Sequence, residues 1–284
     1  MSLQPARPQL ALLAPLRESL AAHGLLADKG LGQHFLLDLN ITRKIARLAG
    51  PLDGVTVIEV GPGPGGLTRA LLEAGAHVVA VEKDPRFSPL LEALAQAADG
   101  ALEVVLADAL AVDEAALARG GPAAIVSNLP YNVGAPLLIK WLTGPFRPVS
   151  MTLMFQKEVA ERIVAAPGSE AYGRLAVIVQ ATCHAETVMQ VPPQAFTPPP
   201  KVRSAVVRLA PREDRPQPKL LADLQRVTQA AFGQRRKMLR SSVATLGGAE
   251  LCRAAGIDAS RRAETLSVAE FLELARVLGS EGGK

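Results

Sequence analysis

Short runs of β-branched and apolar residues alternate with stretches of helical periodicity through the first two thirds of the chain. The strands that these runs predict are Val55–Val60, His77–Val81, Val104–Ala107, Ala124–Ser127 and Thr152–Phe155. Strands that alternate with helices form a mainly parallel sheet with helices on both faces, and right-handed crossovers make that sheet doubly wound. The pattern therefore predicts an α/β fold of the Rossmann-like kind.

The pattern changes after a proline-rich linker at residues 211–219. Before the linker, Ser204–Leu209 predicts one more strand, while Gly173–Cys183 is apolar almost throughout and fits either a helix or a strand. After the linker, the periodicity predicts helices at Leu220–Phe232, Gln234–Leu246 and Val268–Leu278. We therefore predict three parts, namely an N-terminal extension at 1–27, an α/β domain at 28–211 and a small all-helical domain at 212–284.

Capping residues mark two of the predicted helix starts. Asp38 precedes a helix that is predicted to run to Ala49, and Ser267 is followed three residues later by Glu270, which is the capping-box pattern. A further short helix is predicted around Leu10–His23. Residues 28–37 carry two glycines inside an apolar run and predict a loop.

Positive charge is concentrated in the predicted helical domain. Of the 31 basic and 27 acidic side chains among 284 residues, residues 1–211 hold 18 of each sign, whereas residues 212–284 hold 13 basic and 9 acidic. This excess fits a polyanionic partner, and it also fits a solvated helical surface. Four of the basic residues fall in one six-residue stretch of a predicted helix. Arg236 and Arg240 share a face of that helix because they are four residues apart. The candidate phosphate-binding residues are Arg235, Arg236, Lys237 and Arg240, with Lys201 and Arg203 after the proline run.

Composition excludes several classes of protein. With 49% hydrophobic and 20% charged residues, the chain is not mainly disordered. Its two cysteines and four histidines share no metal-ligand spacing, so we expect no disulfide framework and no metal. Neither a secretory leader nor a run of about 18 apolar residues is visible, so we expect a cytoplasmic protein that does not span a membrane.

A glycine-rich turn follows the first predicted strand. Gly61, Gly63 and Gly66 fit the spacing G-x-G-x-x-G, which lets the backbone turn sharply and approach a ligand closely. Glu82 lies 21 residues after Gly61, at the end of the next strand, where a carboxylate can accept hydrogen bonds from ribose hydroxyls. The glycine spacing alone also fits a purely structural turn. Together, the strand, turn, helix, strand and acid predict a nucleotide-type cofactor.

Three features favour S-adenosylmethionine over a nicotinamide dinucleotide. Glu59 precedes the glycines on the strand itself, where a carboxylate suits a cationic group better than a pyrophosphate. Pro62 and Pro64 remove two backbone donors that a pyrophosphate site needs. Asp108 follows the third strand and could accept from an adenine amino group, although it could also cap a helix.

The segment Ser127–Asn132 ends the fourth predicted strand, next to the glycine turn. Asn128 offers a carbonyl acceptor, Pro130 stiffens the turn around Leu129, and Tyr131 supplies a flat face. A flipped base with an exocyclic amine needs acceptors and a stacking platform. Because ligands bind outside the carboxyl ends of such strands, we predict a base-binding site here.

These motifs resemble those of the ribosomal RNA adenine N6-dimethyltransferases, most closely the bacterial enzymes of the small subunit. The resemblance covers roughly residues 28 to 245. The blocks that carry it are Leu31–Leu36, Glu59–Gly63, Val81–Asp84, Ala107–Ala109, Asn128–Tyr131, Phe155–Val159, Tyr172–Leu175, Phe196–Val202 and Phe232–Lys237.

The resemblance implies a methyltransferase domain that binds S-adenosylmethionine. His34 and Leu36 would contact the cofactor and close over it, although many members have Asn where this chain has His34. Gly61, in the turn that includes Gly63, would lie against its methionine part. Glu82 would bind its ribose and Asp108 its adenine.

The resemblance also implies the roles around the target base. Asn128 would serve both the cofactor and the target amine, beside Leu129 and Pro130. Tyr131 and Phe196 would sandwich the flipped adenine, although Phe196 also fits a core position. We expect no metal, no covalent intermediate and no strong general base.

The implied substrate is 16S ribosomal RNA in the small subunit or its precursor, with two adjacent adenosines of the 3′-terminal hairpin loop each receiving two methyls, and the implied enzyme is a monomer. Three alternatives stay open. They are a large-subunit adenine methyltransferase of the antibiotic-resistance type, a ribosome-assembly factor without catalysis, and a nicotinamide oxidoreductase.

Overall fold

The computed structural model describes residues 7–27, 33–52 and 55–281. Within them the helices are α1 (Leu16–Ala22), α2 (Leu39–Leu48), α3 (Gly66–Glu73), α4 (Ser88–Ala97), α5 (Glu114–Leu117), α6 (Gly134–Thr143), α7 (Lys157–Val164), α8 (Arg174–Thr182), α9 (Pro218–Gly233), α10 (Leu239–Ser242), α11 (Gly248–Ala254) and α12 (Val268–Glu281). The strands are β1 (Phe35–Leu36), β2 (Thr56–Val60), β3 (His77–Glu82), β4 (Leu102–Leu106), β5 (Ala123–Asn128), β6 (Ser150–Gln156), β7 (Cys183–Val191), β8 (Phe196–Thr197) and β9 (Ser204–Pro211).

Seven strands form the central sheet in the order β4-β3-β2-β5-β6-β9-β7. The first five pair in parallel, whereas β9 pairs with β6 in the antiparallel direction. From β2 the chain moves outward through β3 to β4 and then returns to place β5 on the other side of β2. This reversal is a topological switch point, which in α/β sheets is where ligands bind. The predicted α/β fold is confirmed, and all five predicted parallel strands end within two residues of their predicted bounds.

Two helices begin at the capping residues that the sequence indicates. The Asp38 side chain accepts a hydrogen bond from the Asn40 amide at 2.8 Å and caps α2. Before α12, the Ser267 hydroxyl accepts from the Glu270 amide at 3.2 Å, and the Glu270 carboxylate accepts from the Ser267 amide at 2.7 Å. These reciprocal bonds satisfy amides that a helix start leaves without intrahelical partners.

The chain divides into two compact units. The first contains residues 1–138, 145–160 and 187–209, and the second contains 139–144, 161–186 and 210–284. The last segment of the second unit begins at residue 210, close to the boundary predicted at 212. The second unit also takes in two segments that we assigned to the α/β domain, so a single cut along the chain does not separate the units.

The second unit is built around an apolar helical core. Helix α12 packs along α9, and α8 contacts both of them. The Phe232 ring lies 6.1 Å from Tyr172 and 5.5 Å from Phe271 between ring centroids. The ambiguous apolar stretch at Gly173–Cys183 forms α8, which leads directly into β7, a strand that the sequence did not predict.

The predicted helix at Gln234–Leu246 is wrong. Helix α9 ends at Gly233, residues 234–238 form a turn, and α10 begins only at Leu239. The Leu239 and Arg240 amides donate to the carbonyls of Arg261 and Ala259 at 2.7 and 3.1 Å. In a continuous helix these amides would instead donate to carbonyls four residues earlier in the chain. Arg236 and Arg240 consequently do not share a helical face.

The N-terminal region also differs from its prediction. The helix expected at Leu10–His23 is a 3₁₀ turn at Pro8–Leu12 followed by α1, with Pro15 at the start of α1. Of the loop predicted at 28–37, residues 28–32 lie outside the described residues, and β1 pairs with β8 in the antiparallel direction. None of the described helices is long and apolar enough to cross a membrane.

Candidate functional site

A cleft opens in the first unit at the carboxyl ends of β2, β3 and β5, at the switch point of the sheet. Residues 33–36 form one of its walls. The side chains and turns that line it include Gln33, His34, Leu36, Glu59, Gly61, Gly63, Glu82, Asp108, Asn128, Leu129, Pro130, Tyr131 and Asn132. Within the described residues, no group of three His, Cys, Asp or Glu side chains is placed to hold a metal ion.

The glycine turn after β2 requires glycine for two reasons. Gly61 and Gly63 have φ angles of +69° and +53°, in the left-handed region that side chains disfavour. At Gly66 a Cβ would lie 2.5 Å from the Leu36 carbonyl oxygen, so a larger residue there would push β1 away from α3. The turn thus keeps its backbone on the cleft while residues 33–36 lie against it.

Glu82 is held on the cleft wall by backbone amides. Its carboxylate accepts from the amides of Gly63 at 3.0 Å and of Lys83 and Asp84 at 2.8 Å each. Burial raises the pKa of Glu82, and these hydrogen bonds oppose that rise. The carboxylate therefore ties the end of β3 to the glycine turn, and it lies where the sequence places a ribose-binding acid.

Glu59 is a second buried acid at the cleft, on the strand where the sequence favours a cationic group over a pyrophosphate. It is 1% exposed, and its Oε2 has no hydrogen-bond partner. Burial raises the pKa of Glu59 to about 8; Thr68 opposes the rise and the Glu82 carboxylate adds to it. Its position two residues before Gly61 is the sequence signal for this acid.

We expect stability to fall as the pH rises from about 5 to about 8, and Glu59→Gln to reduce this fall. The pKa of Glu59 is about 8 in the folded chain and 4.5 for an unperturbed glutamate, so the folded state binds more protons in this window and becomes less stable as they leave. The change in unfolding free energy is up to about 4 kcal/mol. Denaturant unfolding at several pH values measures it, with exposed Glu213→Gln as control. Parallel profiles for wild type and Glu59→Gln would contradict the assignment.

Asp108 lines the cleft just after β4. Its carboxylate accepts from the Leu110 amide at 2.9 Å and pairs with the Lys83 ammonium at 2.9 Å. Asp108 therefore caps a turn, and not a helix as the capping alternative expects. The residue still lines the cleft, where the sequence places an acceptor for the cofactor's adenine.

Asn128, Leu129, Pro130 and Tyr131 lie together at the end of β5. The Asn128 amide nitrogen donates to the His34 carbonyl at 3.4 Å, and the Tyr131 hydroxyl lies 2.7 Å from the Ser204 hydroxyl. The Pro130 carbonyl accepts from the amides that begin α6, which leaves the Leu129 carbonyl as the better candidate acceptor for a base. Ser204 is a contact that the sequence did not single out.

Comparison with known proteins identifies the family of this chain. The model of the family described as ribosomal RNA adenine dimethylase matches residues 25–279. The chain belongs to the ribosomal RNA adenine dimethylase family. Membership confirms the predicted family and the predicted class of enzyme, an rRNA adenine dimethyltransferase.

Relatives of this dimethylase are similar to it along nearly the whole chain. The dimethylase is 69% identical over 266 residues to the ribosomal RNA small subunit methyltransferase A of Phenylobacterium zucineum, and the match covers 94% of this chain and 93% of the relative. It is 68% identical over 251 residues to the protein of that name from Caulobacter vibrioides, covering 88% and 97%.

Solved structures share the fold of this dimethylase. A dimethyladenosine transferase from Plasmodium falciparum has a TM-score of 0.72 at 26% identity, covering 88% of this chain and 98% of the other. The 23S rRNA methyltransferase ErmE has a TM-score of 0.65 at 26% identity, covering 86% and 99%.

Phe196 takes the core position that the sequence leaves open as its alternative role. It is 3% exposed and packs in the core with Leu36, Met154 and Val206. Strand β8 pairs with β1, and because side chains alternate across a strand this pairing directs the Phe196 ring into the core. The ring of His34 lies against Tyr131, with centroids 5.3 Å apart.

The basic residues predicted to bind phosphate fall into two groups. In the first unit, Lys201 and Arg203 are exposed between β8 and β9. In the second unit, Arg236, Lys237 and Arg240 are also exposed. Arg235 differs, because its guanidinium pairs with Glu264 at 2.9 Å and donates to the Glu170 carbonyl at 2.6 Å. This arginine therefore links segments within the second unit in addition to any contact with RNA.

We expect Arg236→Ala combined with Arg240→Ala to reduce the salt dependence of RNA binding by this dimethylase. Each phosphate contact that is lost lowers the slope of log Kd against log salt by about 1, so the pair should lower it by about 2. The matched control is Arg253→Ala with Arg276→Ala, whose side chains pair with Glu250 and Glu273 on the same unit. Equal slopes for the two double variants would contradict a phosphate-binding role.

Proposed function

We propose that this chain transfers methyl groups from S-adenosylmethionine to the N6 atoms of two adjacent adenosines in the 3′-terminal hairpin loop of 16S ribosomal RNA, during assembly of the small subunit. The observation that carries the proposal is the intact segment Asn128–Tyr131 beside the glycine turn, in a chain 69% identical to a small subunit methyltransferase A. We further propose that it acts as a monomer in the cytoplasm, where its substrate is assembled.

The cleft fits S-adenosylmethionine by the chemistry of its walls. The turn of Gly61 and Gly63 admits close backbone approach, the anchored Glu82 carboxylate suits ribose hydroxyls, and Asp108 suits an adenine amine. Glu59, with an unpartnered Oε2, suits a cationic group. When bound, the cofactor supplies an electrophilic methyl on a sulfonium.

The chain's own residues would hold and orient the target amine. An adenine N6 amine is a weak nucleophile because its lone pair is delocalised into the ring. Asn128 already uses its amide nitrogen, so its Oδ1 would accept one amine proton, and the Leu129 carbonyl would accept the other. These acceptors would turn the lone pair out of conjugation and stabilise the positive charge that develops on N6.

Stacking on Tyr131 would fix the plane of the base. The hydrogen bond to Ser204 holds the phenol, and burial raises the pKa of Tyr131, so the ring stays neutral at physiological pH. A neutral, fixed ring is a stacking platform and not a proton acceptor. We propose that catalysis proceeds by alignment and electrostatics, without a strong general base.

Labelled methyl transfer to isolated ribosomal subunits tests this function. We expect unmethylated small subunits to accept label and large subunits to accept less than a few per cent as much. Label on large subunits would favour the alternative of a large-subunit adenine methyltransferase, since the 23S rRNA methyltransferase ErmE shares the fold. Tight binding to small subunits without any transfer would favour an assembly factor.

A further inference from the structure

One residue, His34, engages both groups that the proposed function assigns to the target base. Its ring lies against Tyr131, with centroids 5.3 Å apart and planes inclined by 33°. Its carbonyl oxygen accepts from the Asn128 amide nitrogen at 3.4 Å. The platform for the base and the amide next to it are thus both in contact with residue 34.

The position of His34 is also fixed by Pro198, the residue that follows β8. The His34 Nδ1 lies 2.8 Å from the Pro198 carbonyl oxygen, directly after β8. The next residues of the chain, Phe35 and Leu36, pair with Thr197 and Phe196. The imidazole is therefore held over the phenol by a hydrogen bond and by strand pairing.

This arrangement leaves no room for a base between the two rings. Each stacked aromatic contact separates its centroids by about 4.5–7 Å, so a base and two contacts do not fit into a 5.3 Å gap. An adenine that stacks on this face of Tyr131 must take the place of the imidazole. Phe196 is 3% exposed and so presents almost no surface as a second platform.

We propose that His34 is a specificity-determining residue that occupies the base site until the target adenine displaces it. This inference rests on the proposed function. Displacing the ring breaks its hydrogen bond to Pro198, so an isolated adenine gains little by entering. A large RNA substrate, with phosphate contacts elsewhere, supplies the binding energy that makes displacement favourable. His34 would thus favour large, structured RNA over short RNA.

The test compares His34→Ala with the wild-type chain in binding a short RNA hairpin whose loop holds 2-aminopurine next to an adenine. S-adenosylhomocysteine is present at saturation, so no turnover occurs. We expect His34→Ala to bind the hairpin about tenfold more tightly than wild type, because the base no longer competes with the imidazole. Quenching of the 2-aminopurine fluorescence should increase and should be lost when Tyr131→Ala is added.

Two further variants serve as a conservative substitution at position 34 and as a control at another histidine. His34→Asn removes the ring but keeps a polar side chain, and we expect it to match His34→Ala. His77→Ala, at an exposed position on β3, should behave like wild type. Hairpin affinity that is unchanged or weaker in both position-34 variants overturns the proposal, as does a His34→Asn variant that matches wild type.

Calorimetry distinguishes the proposed competition with the base from a role of His34 in binding the cofactor. Our proposal expects the Kd for S-adenosylhomocysteine to change less than threefold in His34→Ala. A cofactor Kd at least tenfold weaker without tighter RNA binding would overturn the proposal. Failure of the proposed function is seen separately, since it requires that the wild-type chain itself transfer no methyl groups to small subunits.

Discussion

Replacing Asn128 with alanine is expected to reduce methyl transfer by about a hundredfold to a thousandfold, while the cofactor Kd changes less than threefold. The substitution removes the acceptor that holds an amine proton and stabilises charge developing on N6, an effect of the size seen when one preorganised polar group is removed from an active site. Binding of the cofactor depends mainly on other groups, namely the glycine turn and Glu82. Single-turnover transfer and calorimetry measure the two quantities.

A matched control for this variant is Asn40→Ala on α2, where the side chain is exposed. It should transfer methyl groups at the wild-type rate. Asn128→Asp is a second test, because it keeps the shape and an acceptor oxygen but exchanges the amide donor to His34 for a carboxylate. Turnover in Asn128→Ala comparable to wild type would remove Asn128 from the mechanism.

Glu82→Gln is expected to weaken the cofactor Kd by about a hundredfold and to lower the unfolding free energy by about 2 kcal/mol. The carboxylate accepts three backbone amides, whereas a carboxamide places an NH₂ group against at least one of them. A buried amide that loses its acceptor costs about 1–3 kcal/mol, and an acceptor for the ribose is weakened at the same time. Calorimetry and denaturant unfolding measure the two effects.

Turnover at saturating cofactor should fall much less in Glu82→Gln than in Asn128→Ala, because Asn128 and Tyr131 stay in place. Exposed Glu92→Gln on α4 is the matched control and should leave the cofactor Kd unchanged. A Glu82→Gln variant with wild-type cofactor affinity would show that the carboxylate serves only to hold the glycine turn.

The parallel sheet and the location of the cleft could be predicted because both follow from local signals. Runs such as Val55–Val60 have the β-branched composition of buried strands, and the glycine turn between β2 and α3 is specified by residues next to each other in the chain. The helix starts at Asp38 and Ser267 follow from side chains that reach only two or three residues along the chain. Local chemistry was sufficient for these features.

Features that depend on distant partners could not be predicted in the same way. The turn at 234–238 exists because the amides that follow it bond to Arg261 and Ala259, about twenty residues away. Strand β7 is only partly buried, so its pattern lacks the apolar run of the central strands. Phe196 faces the core because β8 pairs with β1, more than 150 residues earlier in the chain.

The position of His34 shows the same limit inside the site. The family resemblance implies that His34 and Leu36 approach the cofactor, and the structure adds that the imidazole lies on Tyr131 and bonds to the Pro198 carbonyl. Neither contact has a local signal, because the three residues come from separate parts of the chain. Tertiary pairing of β1 with β8 brings His34 next to Pro198, and Tyr131 reaches them from the end of β5.

Mass-spectrometric mapping of the product tests the central claim most directly. Small subunits that lack the modification would be incubated with the purified chain and S-adenosylmethionine, and the 3′-terminal fragment of their RNA would then be sequenced. The account predicts N6,N6-dimethyladenosine at two adjacent positions of the hairpin loop, and about a hundredfold less of it when Asn128→Ala replaces the wild-type chain for the same short incubation. Methylation of a different base, or of large-subunit RNA alone, would contradict it.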